Sequence, residues 1–150
     1  MNESAPILTQ VDIVARDMDA TIDFYRRLGL DIPDAPADPL GIRHVDLVLP
    51  NGFVFHVDNV PLARVYNAAW RRPQGSSPAL IGFALPTREA VDARYAELLQ
   101  AGYEGRQPPY DTFWGARYAV VADPDGNDVG LMSPLDPTRR SWPPENSPDL

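Results

Sequence analysis

The chain's two histidines, His44 and His56, each lie two positions from an aspartate, Asp46 and Asp58. Alternate residues of a strand share a face, so each pair would project together. Imidazole beside carboxylate suits three tasks: moving a proton near neutral pH, holding a divalent metal, or forming an acidic surface for a cation. The turn Pro50, Asn51, Gly52 fixes how the pairs meet, because proline presets a type I turn and glycine takes the left-handed position of a three-residue hairpin loop. Leu49 then faces Phe53, with Leu47 opposite Phe55 and Val45 opposite Val57 on an apolar face. The other face sets Val48 against Val54, Asp46 against His56, and His44 against Asp58. His56 with Asp46 is a candidate general acid/base pair, and His44 can equally be a rim residue hydrogen-bonded to Asp58. Upstream, Gln10 and Asp12 share one face of an apolar-rich strand, Leu8 to Val14.

The elements that position these residues occur twice. Arg43 to Asp58, RHVDLVLPNGFVFHVD, returns in altered form as Arg117 to Ser133, RYAVVADPDGNDVGLMS, with both arginines and both turn glycines (Gly52 and Gly126) 74 positions apart. Val11 to Leu30 likewise resembles Ile81 to Tyr103, with Tyr25 and Tyr95 separated by 70. Equal offsets indicate a duplication in which each half reads as strand, helix, short strand, strand, turn, strand. In the second hairpin the same count puts Val121 opposite Val129 and Ala119 opposite Leu131 on the apolar face. Ala122 with Asp128, Val120 with Gly130, and Tyr118 with Met132 occupy the other.

Asp17 caps a helix from Met18 to Leu28 that Gly29 closes, and Thr87 caps a second running to Ala101, with Val91, Tyr95, Leu98 and Leu99 inward and Gly102 as its stop. Pro33 to Gly41 reads as a proline-rich loop, and Pro108 to Gly115, PPYDTFWG, as an aromatic loop before the second hairpin. The organisation expected is an extension at 1–7, a module at 8–58, a connector at 59–78 with a helical turn near Leu62 to Ala69, a second module at 79–134, and a proline-rich extended or disordered tail at 135–150.

At 150 residues the chain can bury a core without disulfides, and it has no cysteine to form them or to bind zinc. The net charge of −8 argues against sequence-independent nucleic-acid binding. No stretch is apolar enough to span a bilayer, and the start MNESAPILT lacks the features of a secretory leader, so a cytoplasmic protein is expected.

The duplicated plan, the segment VDIVARDMDATIDFYRRLGL and the closing PPYDTFWGARYAVVADPDGNDVGLM together resemble the vicinal oxygen chelate superfamily, which includes glyoxalase I, extradiol dioxygenases, methylmalonyl-CoA epimerase and the bleomycin resistance proteins. The resemblance covers roughly Leu8 to Pro134, and Trp114 to Asn127 is its most specific part. It implies an α+β fold of two tandem βαβββ modules whose curved mixed sheets form a cleft, and a homodimer that pairs modules between chains. It also implies metal-ligand positions at Gln10, His56, Leu80 and Gly130. Only the first two can coordinate, and glycine stands where a glutamate usually closes the site, so no metal cofactor is expected. The alternative is a non-standard ion site gathered from Gln10, Asp46 and His56 with Asp12 or His44.

Metal-free members that resemble this chain sequester small molecules. The expected ligand is therefore cationic or aromatic, with Asp12, Asp46, Asp58 and Asp128 supplying charge and Trp70, Phe113, Trp114 and Tyr118 supplying ring faces. Gln10, His44, His56 and Met132 complete the candidate set. The competing expectation is a lyase, epimerase or isomerase that uses the Asp46–His56 pair or the non-standard metal site. A third is a structural dimer whose cleft is filled by its own tail, with Trp142 inside.

Overall fold

A computed structural model describes residues 5–75 and 77–144. Parts of the expected N-terminal extension, connector and C-terminal tail, at 1–4, 76 and 145–150, lie outside the described residues. The chain divides into two compact units, Met1–Arg72 and Pro73–Leu150.

In the first unit, β1 (Gln10–Ala15) leads into α1 (Met18–Leu28), and after a loop the hairpin β2 (His44–Val48) and β3 (Val54–Asn59) follows. Asp17 accepts the amide of Ala20 at 3.1 Å, and Gly29 ends the helix at φ 120°, a left-handed conformation open to glycine. The sheet order is β1-β3-β2, with β1 parallel and β2 antiparallel to β3. Ile22, Tyr25 and Leu28 of α1 are buried along with Val45, Phe55 and Val57 of the hairpin, and the rings of Tyr25 and Phe55 lie 4.8 Å apart. Helix and apolar sheet face thus form the core, and the polar face turns the other way.

The first unit departs from the sequence pattern in two places. The first unit has no short strand between helix and hairpin, because Pro33, Pro36 and Pro39 remove the amide donors a strand needs. Arg43 instead fixes that loop, donating to the Ala35 carbonyl at 2.6 Å and to Asp19 at 2.8 Å. The chain also passes from β3 directly into α2 (Val60–Tyr66), whose cap is Asn59, accepting the Leu62 amide at 3.3 Å. The helix therefore begins two residues earlier than the sequence pattern suggests.

The second unit comprises β4 (Leu80–Ala84), α3 (Arg88–Gln100), β5 (Gly105–Asp111), β6 (Arg117–Ala122), β7 (Asp128–Met132) and a short 3₁₀ turn at Pro137–Arg139. Its sheet order is β4-β7-β6-β5. Val91 and Leu98 are buried with Ala119, Val121, Val129 and Leu131, and Arg117 ties β6 to α3 through Asp92 at 2.8 Å.

Leu99, expected inside, is 38% exposed, because it lies at the border of the helix face and covers Gly105 with its tip. Pro108 to Asp111, read as loop, belongs to β5. Proline is tolerated there because β5 is the sheet edge, and shifts in its register with β6 accommodate the missing donors. The tail is not free as far as Trp142. Asp136 donates to the Gly115 carbonyl at 2.9 Å, Ser141 to that of Phe113 at 3.0 Å, and Trp142 meets the Phe113 ring edge-on at 5.2 Å while remaining largely exposed.

Candidate functional site

Both hairpins adopt the register expected from their turns, and β1 completes the polar face of the first sheet. Across the three strands run two rows: Asp12, His56, Asp46, and beside it Val14, Asp58, His44. No arginine or lysine stands in either row.

Asp58 anchors the face. It is 1% exposed, takes His44 Nδ1 at 2.5 Å, and accepts the Tyr66 hydroxyl at 3.0 Å. Burial pushes its carboxyl above the usual range, the hydrogen bonds from His44 and Tyr66 pull it back, and the neighbouring Asp12 adds to the upward push. The Tyr66 hydroxyl is pushed up to about 12, first by burial and then by its hydrogen bond to Asp58. Tyr66 was not legible as part of this face, although Asn59 followed by Pro61 is a helix-start signal that would have folded the next turn back over the strand end.

The His44 ring stacks against that of His56, with centroids 5.2 Å apart, and its Nε2 stands 3.7 Å from Asp46. Asp46 lies opposite His56 in the register, yet no hydrogen bond joins them: His56 Nδ1 is buried without a partner. The imidazole–carboxylate pair formed by the fold is therefore His44–Asp58. Gln10 donates to Asp12 at 2.8 Å, leaving the exposed carboxylates of Asp12 and Asp46 on either side of His56.

In the second unit the equivalent rows read Gly82, Gly130, Val120 and Ala84, Met132, Tyr118. A Cβ on Gly130 would meet Tyr118 Oη at 2.7 Å and Leu80 Cδ2 at 2.9 Å, so the place of a closing glutamate is filled. Gln10, His56, Leu80 and Gly130 do not form a donor set that fits a catalytic divalent ion, and among the described residues no three His, Asp or Glu side chains converge to hold one.

The remaining candidates are dispersed. Asp128 is neutralised by Arg106, whose Nη1 lies 2.5 Å away. The Trp70 ring is approached by the guanidiniums of Arg64 at 6.0 Å and Arg72 at 5.5 Å, so cations of its own chain occupy it. Phe113, Trp114 and Tyr118 form a chain of edge-to-face contacts at 5.2 and 5.5 Å, and Met132 lies opposite Tyr118. Burial first, then Tyr110 and Asp128, raise the Tyr118 hydroxyl.

Comparison with known proteins agrees with this plan. The family model for the Glyoxalase/Bleomycin resistance protein/Dioxygenase superfamily matches residues 7–131. Uncharacterized proteins of Mycobacterium bovis and Mycobacterium tuberculosis are each 29% identical over 126 residues, which is 82% of this chain and 80% and 72% of theirs. Among solved structures, a glyoxalase/bleomycin resistance protein/dioxygenase from Nocardioides superposes with TM-score 0.67 at 22% identity, covering 99% of this chain and 93% of that one. A family enzyme from Burkholderia phytofirmans gives 0.68 at 23%, covering 85% and 98%, and a glyoxalase-related enzyme from Fulvimarina pelagi gives 0.69 at 21%, covering 87% and 89%. Among the described residues no helix is long and apolar enough to cross a membrane. With its model match, tandem modules and shared fold, the chain belongs to the glyoxalase/bleomycin resistance/dioxygenase superfamily.

Proposed function

We propose that this protein binds a small cationic, aromatic-bearing molecule without a catalytic metal, in the manner of a sequestering protein. The observation that carries the reading is the first unit's open face, where Asp12, Asp46 and Asp58 surround two histidines with no arginine or lysine in their rows. A face of that composition attracts a cation and repels an anion. Two of its carboxylates, Asp12 and Asp46, are exposed and carry no arginine or lysine partner that a ligand would have to displace. The exposed His44 ring, stacked on His56 at 5.2 Å, offers a planar group a ring to lie against on the same face. Homodimerisation and a cytoplasmic location belong to the same proposal, and sedimentation tests the first. A charge-matched panel tests the ligand class: thermal shift with N-methylquinolinium, quinoline and quinaldate, the cation, neutral and anion of one ring system. The cation should stabilise the protein through the acidic face, an effect lost in the double variant Asp12→Asn, Asp46→Asn, and a cation shift that is absent or unchanged in that variant would refute the reading.

A second reading, a metal-independent isomerase or lyase, is favoured by the 2.5 Å contact between His44 Nδ1 and buried Asp58. An imidazole oriented by a carboxylate through one nitrogen can move protons through the other. Deuterium wash-in from D₂O at carbon acids α to a carbonyl, followed by NMR, tests it. Exchange abolished by His44→Gln but retained in Asp46→Asn would support this reading, and exchange indifferent to His44→Gln would end it.

A further inference from the structure

The second unit contains a cavity of about 320 Å³, lined by Arg88, Asp111, Thr112, Phe113, Arg139 and Ser141, together with Gly115 and Ala116. None of these residues belongs to the sheet rows described above. The docked tail shapes one wall. Gly115 holds φ 96°, and any Cβ there would stand 2.3 Å from the Asp136 carbonyl oxygen, so the turn and tail approach as only glycine permits.

The electrostatics of the lining are unlike those of the whole chain. Arg88 donates through Nη2 to Asp111, while its Nη1 is buried without a hydrogen-bond partner. A buried guanidinium donor lacking an acceptor is costly, and most such groups in folded proteins are satisfied. Asp111 is also shared with Arg117, whose Nη1 lies 3.2 Å away and whose Nε holds Asp92 at 2.8 Å. Arg139, half exposed, reaches Asp136 at 3.3 Å. The cavity lining thus sets two guanidiniums against one carboxylate in a protein of net charge −8. Phe113, Ala116 and Gly115 form its apolar side.

We propose that this cavity binds a small monocarboxylate with an apolar body. The carboxylate oxygens would accept from Arg88 and Arg139, whose planar forks match that group, and the body would lie against Phe113. Asp111 in the wall disfavours a dianion such as phosphate. This site shares no residue with the acidic face of the first unit and has the opposite charge preference.

The test uses the full chain, followed by ¹H–¹⁵N spectra during titration with benzoate, with benzyl alcohol and inorganic phosphate as controls. Saturable shifts are expected at the amides of 112–116 and 139–141, none with benzyl alcohol, and phosphate should bind at least about tenfold more weakly. Arg139→Gln, which removes only a half-exposed pair, and Arg88→Lys, which keeps a charge beside Asp111 but removes Nη1, should each weaken benzoate about tenfold. Thermal denaturation establishes that each variant folds, and Arg139→Gln decides alone if Arg88→Lys does not. Absence of benzoate shifts in these segments, equal shifts with benzyl alcohol, phosphate binding as tight as benzoate, or unchanged benzoate affinity in Arg139→Gln would each overturn the proposal.

Discussion

The two open sheet faces share one register and almost no chemistry. Asp12, His56 and Asp46 in the first unit stand where Gly82, Gly130 and Val120 stand in the second, and Val14, Asp58 and His44 stand where Ala84, Met132 and Tyr118 stand. Strand pairing is dictated by turns and by the apolar faces packed under the helices, so it survives while the outward residues change freely. The second face has no carboxylate or imidazole at these row positions, and Tyr118 and Leu80 fill the space beside Gly130. The first has kept its carboxylates and imidazoles and tied two of them together.

The largest expected effect comes from breaking the first face at its buried anchor. Asp58→Ala leaves the Tyr66 hydroxyl and His44 Nδ1 without their acceptor and should cost about 2–3 kcal/mol in urea unfolding. Met132→Leu, at the equivalent position of the second unit, should cost less than about 1.5 kcal/mol because it preserves apolar volume.

A second experiment places a glutamate on the second face. Gly130→Glu should destabilise by roughly 1–3 kcal/mol because its Cβ meets Tyr118 and Leu80, and it should not create a metal site. Adding Tyr118→Ala should recover part of that loss, because the obstruction is a side chain rather than backbone.

Protonation sharpens the contrast in sign. Because burial raises Asp58, the folded chain holds a proton there that the unfolded chain has already released, so this residue's contribution to stability falls as pH rises from the ordinary carboxylate pKa through the raised value. Asp58→Asn should remove that acid-side slope from unfolding curves. At the other end, one tyrosine should ionise near pH 12 by ultraviolet absorbance, and that titration should vanish in Tyr66→Phe.

The smallest stability change belongs to Asp46→Asn. An exposed carboxylate 3.7 Å from a half-exposed imidazole contributes about 0–1 kcal/mol, so unfolding should barely move while cation affinity falls.

Both hairpin registers and both helix caps were legible because they depend on neighbouring residues: a proline–glycine turn, an aspartate or threonine before a helix. The missing strand at 33–41 and the extension of β5 through Pro108–Asp111 were harder to read. Pro33, Pro36 and Pro39 are spread so that missing donors fall on both sides of any strand, whereas Pro108 and Pro109 are adjacent and lie within one register shift. The second partner of Asp58, Tyr66, and the partner of Asp128, Arg106, were illegible for another reason. His44 reaches Asp58 by way of cross-strand register, which the turn reveals, but Tyr66 and Arg106 arrive through a helix and an edge strand whose placement no local pattern announces. Asp128 therefore read as a free charge although Arg106 neutralises it.

The proposed function requires the first face to bind a cation and no catalytic metal. Isothermal titration of the chelator-treated protein with N-methylquinolinium, alongside nickel, zinc, manganese, cobalt and iron(II), tests it most directly. Saturable binding of the organic cation is expected, weakening with salt and in the double variant Asp12→Asn, Asp46→Asn, with no stoichiometric metal. A metal bound at one per chain and lost in His56→Ala, with no response to the organic cation, would contradict it.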